Sequence, residues 1–412
     1  MDEITVIGAG IVGMCTAVTL QQRGWQVRLI DERAPGTGAS FGNAGLVTMD
    51  SCIPIAMPGM FKKIPQWLTD SEGPLSVRKG YLPTALPWLL RWLRSGASKA
   101  AILQQARALR ALHGEAHQIY RKLLGTGVAS QVINMSGQLH VWEANQNADA
   151  FSRQIQSENN VAPRLLSGGE VRDLIPAISD RITHGQLYEN NGFASSPLLL
   201  VQALLKQFLE NGGTVMRQKV NGIWRDHAAD DYRIILAAEN VRASTVVICA
   251  GAWAQRLLDG LDIRVPLETE RGYHVSFCPE ALSLPMPIMD KTRAVAITPM
   301  IDNIRVAGFV EIAGLDAAPN MSREQLLIRH AKTLFPTFDV SKKKDFWLGF
   351  RPSTPDSLPV LDRVAHLPGL YLGFGHGHTG MTGAPKSAEI IADLIAGSPS
   401  NIDTHPYRLN RF

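Results

Sequence analysis

Ile4-Thr5-Val6-Ile7-Gly8-Ala9-Gly10-Ile11-Val12-Gly13 decides the fold. The first four residues form a short apolar run that reads as a buried strand, and the glycines follow at once with G-x-G-x-x-G spacing. A helical stretch comes next, then Gly24 as a stop, a second strand from Trp25 to Ile30, and Asp31 at its end. This order is a whole βαβ dinucleotide-binding unit rather than an isolated glycine motif. Gly8 permits the tight turn, Gly10 lets backbone approach a pyrophosphate, and Gly13 lets the helix pack close to the strand. The helix start at Ile11 and Val12 offers free N–H groups and a partial positive charge to phosphates. Asp31 is placed to accept hydrogen bonds from a ribose 2′-hydroxyl, and its charge disfavours a 2′-phosphate; Glu32 and Arg33 adjoin it in the candidate cofactor set.

The chain around this unit has 412 residues, 45% hydrophobic and 19% charged, with a formal net charge of +4. That length allows two domains with a core each, and the mild charge argues against nucleic-acid binding. Cys15, Cys52, Cys249 and Cys278 are scattered without metal-ligand or redox spacing, which points to a reducing compartment and to no bound metal. The first strand starts almost at the N-terminus, so no secretory leader is expected. No apolar run reaches the length of a membrane span. The expected location is cytoplasmic, with peripheral attachment to the inner face of the membrane as a variant.

After Asp31 a Gly/Ser-rich segment, Gly36 to Gly45, suits backbone wrapped closely round a ligand. Residues 51–100 carry six prolines, with Trp67, Trp88 and Trp92 set among Lys62, Lys63, Arg78, Lys79, Arg91 and Arg94. That stretch reads either as a pocket lid or subunit contact, or as a peripheral membrane contact. Residues 101–124 show one apolar face at helical spacing and predict a single long helix. Gln131 to Glu143 predicts a hairpin turning at Ser136-Gly137. Ser167 and Glu170 match a capping box, and Pro197 opens a helix running to Glu210. Strands are predicted near 214–220, 232–236 and 245–250, in a strand-rich block from Pro266 to Glu311, and at Leu370 to Phe374. Helices are predicted from Ser322 to Leu334 and from about Pro385 to Ile395. The βαβ elements at both ends bracket a strand-rich block. The expectation is an α/β fold (α+β overall): a discontinuous cofactor domain (1–85, 165–260, 345–412) and an inserted antiparallel-sheet substrate domain (86–164, 261–344).

The N-terminal unit alone does not choose between a nicotinamide and a flavin dinucleotide. A classical NAD domain builds its second mononucleotide half soon after the first; here proline-rich, non-Rossmann sequence follows instead. Near the C-terminus, Gly373-Phe374-Gly375-His376-Gly377-His378-Thr379-Gly380-Met381-Thr382 joins a strand to a helix. Several backbone N–H groups at that helix start would stabilise a reduced flavin ring. The balance leans to FAD.

At this point a resemblance covers nearly the whole chain. It rests on Val6 to Gly13, Ala39-Ser40 with Asn43-Ala44-Gly45, Cys249-Ala250-Gly251-Ala252-Trp253, Arg271-Gly272-Tyr273-His274, Ile304-Arg305-Val306-Ala307-Gly308, Gly349-Phe350-Arg351-Pro352 with Thr354-Pro355-Asp356, and Gly375-His376-Gly377. Each motif is weak alone; their order and spacing together are specific. The chain resembles FAD-dependent amine oxidoreductases of the D-amino-acid oxidase superfamily, closest to the small-subunit type of D-amino-acid dehydrogenase. The resemblance implies a Rossmann-like FAD-binding domain of the glutathione-reductase type. It implies FAD held by Gly8, Gly10, Ile11, Val12, Gly13, Asp31, Glu32, Arg33, Ser40, Asn43, Ala44, Gly45, Leu46, Val220, Gly251 and Trp253. On the C-terminal side the implied set is Gly375, His376, Gly377, His378, Thr379, Gly380, Met381 and Thr382. The Thr269-to-His274 and Gly375-to-Gly380 segments look like the branch acting on cyclic D-imino acids such as cis-4-hydroxy-D-proline. No cysteine lies near Arg351, so the flavin is expected to be non-covalent.

Oxidising the Cα–N bond of an amino acid requires a neutral amine, a fixed carboxylate and Cα near flavin N5. A guanidinium suits a carboxylate because two N–H groups bind two oxygens at once. Arg305 and Arg351 lie in short apolar contexts and are candidates; Arg271 is a third, with Glu268 and Glu270 as rival partners. Tyr273 shares a strand face with Arg271 and could bind the second oxygen or gate entry. His376 and His378 are candidate titratable groups near the flavin. Electrons are expected to leave to a quinone or another flavoprotein. The rival readings are a glycine/sarcosine-type oxidase using oxygen, a flavin-binding subunit without turnover and, more remotely, an NAD enzyme.

Overall fold

Ile4–Ile7 is buried at every position, as expected for a strand paired on both edges and covered on both faces. In a computed structural model, which describes residues 3–60, 73–143 and 149–412, it pairs in parallel with Val27–Asp31 on one side and Thr245–Ile248 on the other. Thr214–Arg217 extends the sheet beyond Val27–Asp31. Leu370–Phe374 and the antiparallel Val360–Arg363 extend it beyond Thr245–Ile248. The period-two alternation of a strand divides its side chains between two cores. Ile4 and Val6 join Met14, Leu204 and Ile391 under helices Ile11–Gln22, Pro197–Glu210 and Gly380–Ala396. Ile7, Ile30 and Ile248 face the small antiparallel sheet of Val220–Asp226, Asp231–Leu236 and Asn240–Ala243.

The second layer is a nine-stranded, largely antiparallel sheet. Its order is Lys343–Ser353, Glu268–Phe277, Ile304–Ile312, Val295–Pro299, Ile288–Asp290, Gln138–Glu143, Ile182–Tyr188 and Arg164–Ser167, with Leu75–Val77 paired to Ile304–Ile312. Helix Ser322–Leu334 packs against one face, where Tyr273, Val275 and Phe277 are buried with Leu327 and Phe335. The architecture is therefore mixed α/β, with a parallel cofactor-type sheet beside a large antiparallel one.

Several sequence expectations need correction. Residues 101–124 form two helices, Lys99–His113 and Ala116–Leu124, because Gly114 and Glu115 break the run. Leu109, Leu112, Ile119 and Leu123 pack on the cofactor-side core, while Ile102 and Ala106 form a separate cluster with Cys52 and with Tyr188 of the large sheet. Ser136-Gly137 does turn the chain, with Gly137 at φ +83°, yet no hairpin forms. Ile133–Asn134 pairs with Gly192–Ala194, while Gln138–Glu143 pairs with Ile182–Tyr188. Arg164–Ser167, Ile182–Tyr188 and Lys343–Ser353 pair within the large sheet. The last helix begins at Gly380, not Pro385. Pro385 lacks the N–H that would bond the Met381 carbonyl; the Tyr120 hydroxyl donates to that oxygen instead, at 2.6 Å. Lys62, Lys63, Pro65 and Trp67 lie outside the described residues.

Candidate active site

A cavity of ≈ 410 Å³ opens where the parallel strands end, the position at which open α/β sheets bind ligands. Its floor is the turn Gly8-Ala9-Gly10. A Cβ at Gly8 would lie 2.4 Å from the Cys249 carbonyl oxygen, and one at Gly13 would lie 1.8 Å from that of Gly8. Only glycine lets the turn, the helix start and the neighbouring strand close up this far. Helix Ile11–Gln22 begins at Gly10 with no side-chain cap, which leaves its positive end toward the cavity. Ser40 Oγ accepts from the Ile11 N–H at 2.9 Å and pins the Gly-rich wrap to the helix start. Asp31 accepts from the N–H groups of Ala9 and Arg33 at 2.7 and 2.8 Å. Each carboxylate oxygen keeps a second lone pair for a hydroxyl donor. Glu32, Asn43, Val220, Gly251 and Trp253 complete this end, where the Arg33 guanidinium lies 5.1 Å from the Trp253 ring centre. A Gly-lined floor, the positive end of helix Ile11–Gln22 and a carboxylate at the far strand end form a cradle that fits the diphosphate and ribose of FAD.

The other end of the cavity is a seam between the two sheets. Arg351, Pro352, His376, Gly377, Gly380 and Met381 line it. The Gly377 N–H donates to Pro352 O at 2.7 Å, Ser353 bridges to His376, and His378 Nε2 meets a Glu270 carboxylate oxygen at 2.5 Å. Arg351 sits in a built seat. It pairs across the strand with Glu270, its Nη1 donates to Phe309 O at 2.9 Å, and its guanidinium covers Gly272, whose Cβ would lie 2.2 Å from Arg351 Cζ. Opposite Gly272 the register of Ile304–Ile312 shifts, and Phe309 takes the left-handed conformation at φ +65°. This bulge turns the Phe309 carbonyl toward Arg351. Burial lowers the Arg351 pKa from its ordinary value, with Glu270 opposing. Burial alone would raise the Glu270 carboxyl, but His378 and Arg351 outweigh it and hold it below the usual range.

The other proposed carboxylate holders are committed elsewhere. Arg305 Nη1 donates to Phe41 O and Asn43 O, at 2.8 and 2.6 Å, and so braces the Gly-rich wrap. Arg271 is fully buried, bonded to Ala317 O and Ala318 O at 2.9 and 3.2 Å, and lies 3.5 Å from Glu311. Its partner is therefore neither Glu268 nor Glu270. The Tyr273 hydroxyl donates to the same Glu311 carboxylate at 2.5 Å. Both side chains lie on the strand face opposite Gly272. Of the candidate arginines, only Arg351 lines the cavity among the described residues.

His376 does not titrate near neutrality: burial, with His113 beside it, pushes its pKa down to about 3. Ser387 Oγ donates its one hydrogen to Gly383 O at 2.8 Å, so the 2.8 Å contact with His376 Nε2 requires that nitrogen to be the donor. His376, a lining residue of the cavity, then keeps Nδ1 as a neutral acceptor. Gly13, Ala44, Gly45, Leu46, Gly375, His378, Thr379 and Thr382, expected around the cofactor from sequence, do not line the cavity. Ala44 O accepts from Thr298, Asn43 Oδ1 accepts from the Gly45 N–H, and Thr382 Oγ1 accepts from the Thr48 N–H. His274 and Trp347 escaped the sequence reading as a functional pair. The rings stack at 5.1 Å, and His274 Nδ1 donates to Gly42 O at 3.1 Å, clamping the wrap to the large sheet. The signal available was the run of residues with small or flat side chains at Gly42, Gly272, His274 and Gly349.

Comparison with known proteins matches residues 3–394 to the family described as FAD dependent oxidoreductase (DAO). The chain belongs to this family. Its cofactor is FAD, and it is an FAD-dependent amino-acid oxidoreductase. It is 34% identical over 416 residues to a D-amino-acid oxidase of Bradyrhizobium diazoefficiens, covering 100% of this chain and 99% of that protein. It is 30% identical over 433 residues to a D-amino acid dehydrogenase of Rhizobium rhizogenes, with 100% of both chains covered. The fold is shared with glycine oxidase from Geobacillus kaustophilus, at TM-score 0.74, 21% identity and full coverage of both chains.

Proposed function

We propose that the protein oxidises the Cα–N bond of a D-amino acid or cyclic D-imino acid, with D-proline and cis-4-hydroxy-D-proline as the favoured substrates. The Gly8–Gly13 turn, Asp31 and the Gly375–Gly380 loop would hold FAD without a covalent link, and FAD would supply the two-electron acceptor for the Cα hydride. Arg351 grips the substrate carboxylate through two N–H groups; its pre-built seat limits the entropy lost on binding. The observation that carries this reading is the placement of Arg351 alone, of the candidate arginines, on the cavity wall at the seam with the cofactor loop. His376 stays neutral and contributes an acceptor at Nδ1. Glu270 and His378 hold the Gly375–Gly380 loop to the substrate sheet. The released imine hydrolyses, or remains as a ring imine when the substrate is proline-like. Electrons pass on to a quinone or another flavoprotein.

The cofactor unit is read as the two sheets around Ile4–Ile7 and Val220–Asp226 with their helices, and the substrate unit as the nine-stranded sheet with Ser322–Leu334. Kinship to a D-amino-acid oxidase supports a second reading, in which oxygen is the acceptor and hydrogen peroxide the product. One experiment tests both. Bleaching of the bound flavin by a D-amino or D-imino acid without oxygen supports the oxidation, and peroxide forming at the turnover rate in air selects the oxidase. Failure of every amino acid to bleach it leaves a flavin-binding subunit.

A further inference from the structure

Between Pro74 and Gly114 the sequence has no Asp or Glu but carries Arg78, Lys79, Arg91, Arg94, Lys99, Arg107 and Arg110. Seven cations in one segment exceed the net charge of +4 of the whole chain. Helix Leu82–Ser95 divides this segment into two faces. Ala85, Trp88 and Trp92 are buried, so the tryptophans serve the core rather than an outer surface. The opposite face exposes Pro83, Leu86, Pro87, Leu90, Arg91 and Arg94, with Leu86 46% and Leu90 57% exposed. Those positions recur at i, i+3, i+4, i+7, i+8 and i+11, one stripe of a helix. Among the described residues, Lys79, Arg91 and Arg94 make no ion pair, whereas Arg78, Arg107 and Arg110 are paired with Glu311, Glu158 and Asp50. Of the acids that influence Tyr81, Glu268 is buried and accepts from its hydroxyl at 3.3 Å, and Asp316 is paired with Arg256 at 2.6 Å.

We propose that this outward face of helix Leu82–Ser95 is a docking face for the surface of an anionic phospholipid bilayer. Leucine and proline side chains would enter the headgroup boundary while Lys79, Arg91 and Arg94 meet lipid phosphates. A single convex helix fits a planar, deformable surface; a folded partner would have to supply a groove. No helix among the described residues is long and apolar enough to cross a membrane, so the contact lies in the plane of the interface. The helix is fixed to the active-site seam. Trp88 Nε1 donates to Ser353 O at 3.1 Å, two residues from Arg351, and Ser95 Oγ donates to Pro355 O at 2.6 Å. Docking would therefore hold the seam close to the bilayer, where a lipid-soluble electron acceptor resides. The lipid contact itself stands independently of the amino-acid reading.

The test is flotation of the flavin-loaded protein with phosphatidylcholine vesicles containing or lacking phosphatidylglycerol. Binding is expected only to the anionic vesicles, at about 0.05 M salt and lost by about 0.5 M. Leu86→Ser with Leu90→Ser, and separately Arg91→Gln with Arg94→Gln, should each weaken binding roughly tenfold or more. Flavin content and dye-linked turnover should be unchanged, because none of these residues touches the cavity. Loss of flavin in one pair would disqualify that pair only, and the other would decide. Absence of flotation at low salt overturns the proposal, as does binding that both pairs leave intact. So does a concentration-dependent dimer, seen by sedimentation velocity, that the leucine pair dissolves while vesicles remain unbound: the face would then be a contact between copies.

Discussion

Gly13 and Gly272 play the same physical part at opposite ends of the cavity. At Gly13 the missing side chain lets a helix start press on the turn before it; at Gly272 it lets the Arg351 guanidinium lie flat on a strand. Their origins differ. Ile30, Asp31, Gly36 and Ser40, which touch the first turn, belong to the same βαβ unit and the wrap after it, and the Cys249 strand comes from farther away, so nearby sequence specifies most of it. The Arg351 seat needs three strands brought together from 268–277, 304–312 and 343–353, with a bulge placed opposite Gly272. The geometry of the Gly8 turn is thus largely a local property of this chain, while that of the proposed carboxylate seat is a property of long-range register.

The largest effect should come from breaking the local side. Gly13→Ala places a Cβ 1.8 Å from Gly8 O, and no flexible side chain can yield there. We expect a loss of more than about 3 kcal/mol in stability and protein without flavin absorbance, read from the visible spectrum and thermal melting. Arg305→Met tests the join between the halves. It leaves the Phe41 and Asn43 carbonyls without their donor, for a cost of about 2–3 kcal/mol, expressed as weaker FAD retention on dialysis. A raised KM with unchanged FAD retention would instead return Arg305 to substrate binding. Gly272→Ala breaks the long-range side alone: KM should rise roughly 10- to 100-fold with FAD content preserved.

A smaller effect belongs to pH. His113, His274 and His376 are buried and neutral, their pKa values pushed down to about 4, 3 and 3, chiefly by burial. The unfolded chain therefore binds protons that the folded one refuses. Stability should be flat above about pH 6.5 and fall by about 1.4 kcal/mol per pH unit per histidine below it, until each folded value is reached. Equilibrium denaturation between pH 7 and 5 checks this, and His376→Asn should flatten the slope by one histidine's share.

The same division explains what the sequence disclosed. The Gly8 turn, the Ser167 capping box, the Pro197 helix start and the Ser322–Leu334 helix all rest on neighbours a few residues apart, and the structure has each. Gln131 to Glu143 failed as a hairpin because its strands prefer partners at 192–194 and 182–188. Arg271 and Tyr273 looked like carboxylate holders because alternation puts them on one face. Alternation does not say which face meets the cofactor, and Glu311 claims both from the next strand. The sequence offers Arg351 as a candidate beside Arg305, and its seat among Gly272, Glu270 and the Phe309 carbonyl is what long-range register adds.

On the proposed reading, a D-configured amino or imino acid held by Arg351 reduces the flavin. Anaerobic stopped-flow absorbance tests it most directly, with paired D- and L-proline, 4-hydroxyprolines and open-chain amino acids mixed against wild-type protein and Arg351→Lys. The expected result is rapid bleaching by D-enantiomers in wild type and an apparent substrate affinity roughly 10- to 100-fold weaker in the variant, with oxidised-flavin absorbance before mixing unchanged. Equal bleaching by wild type and Arg351→Lys, or bleaching confined to L-enantiomers, would contradict it.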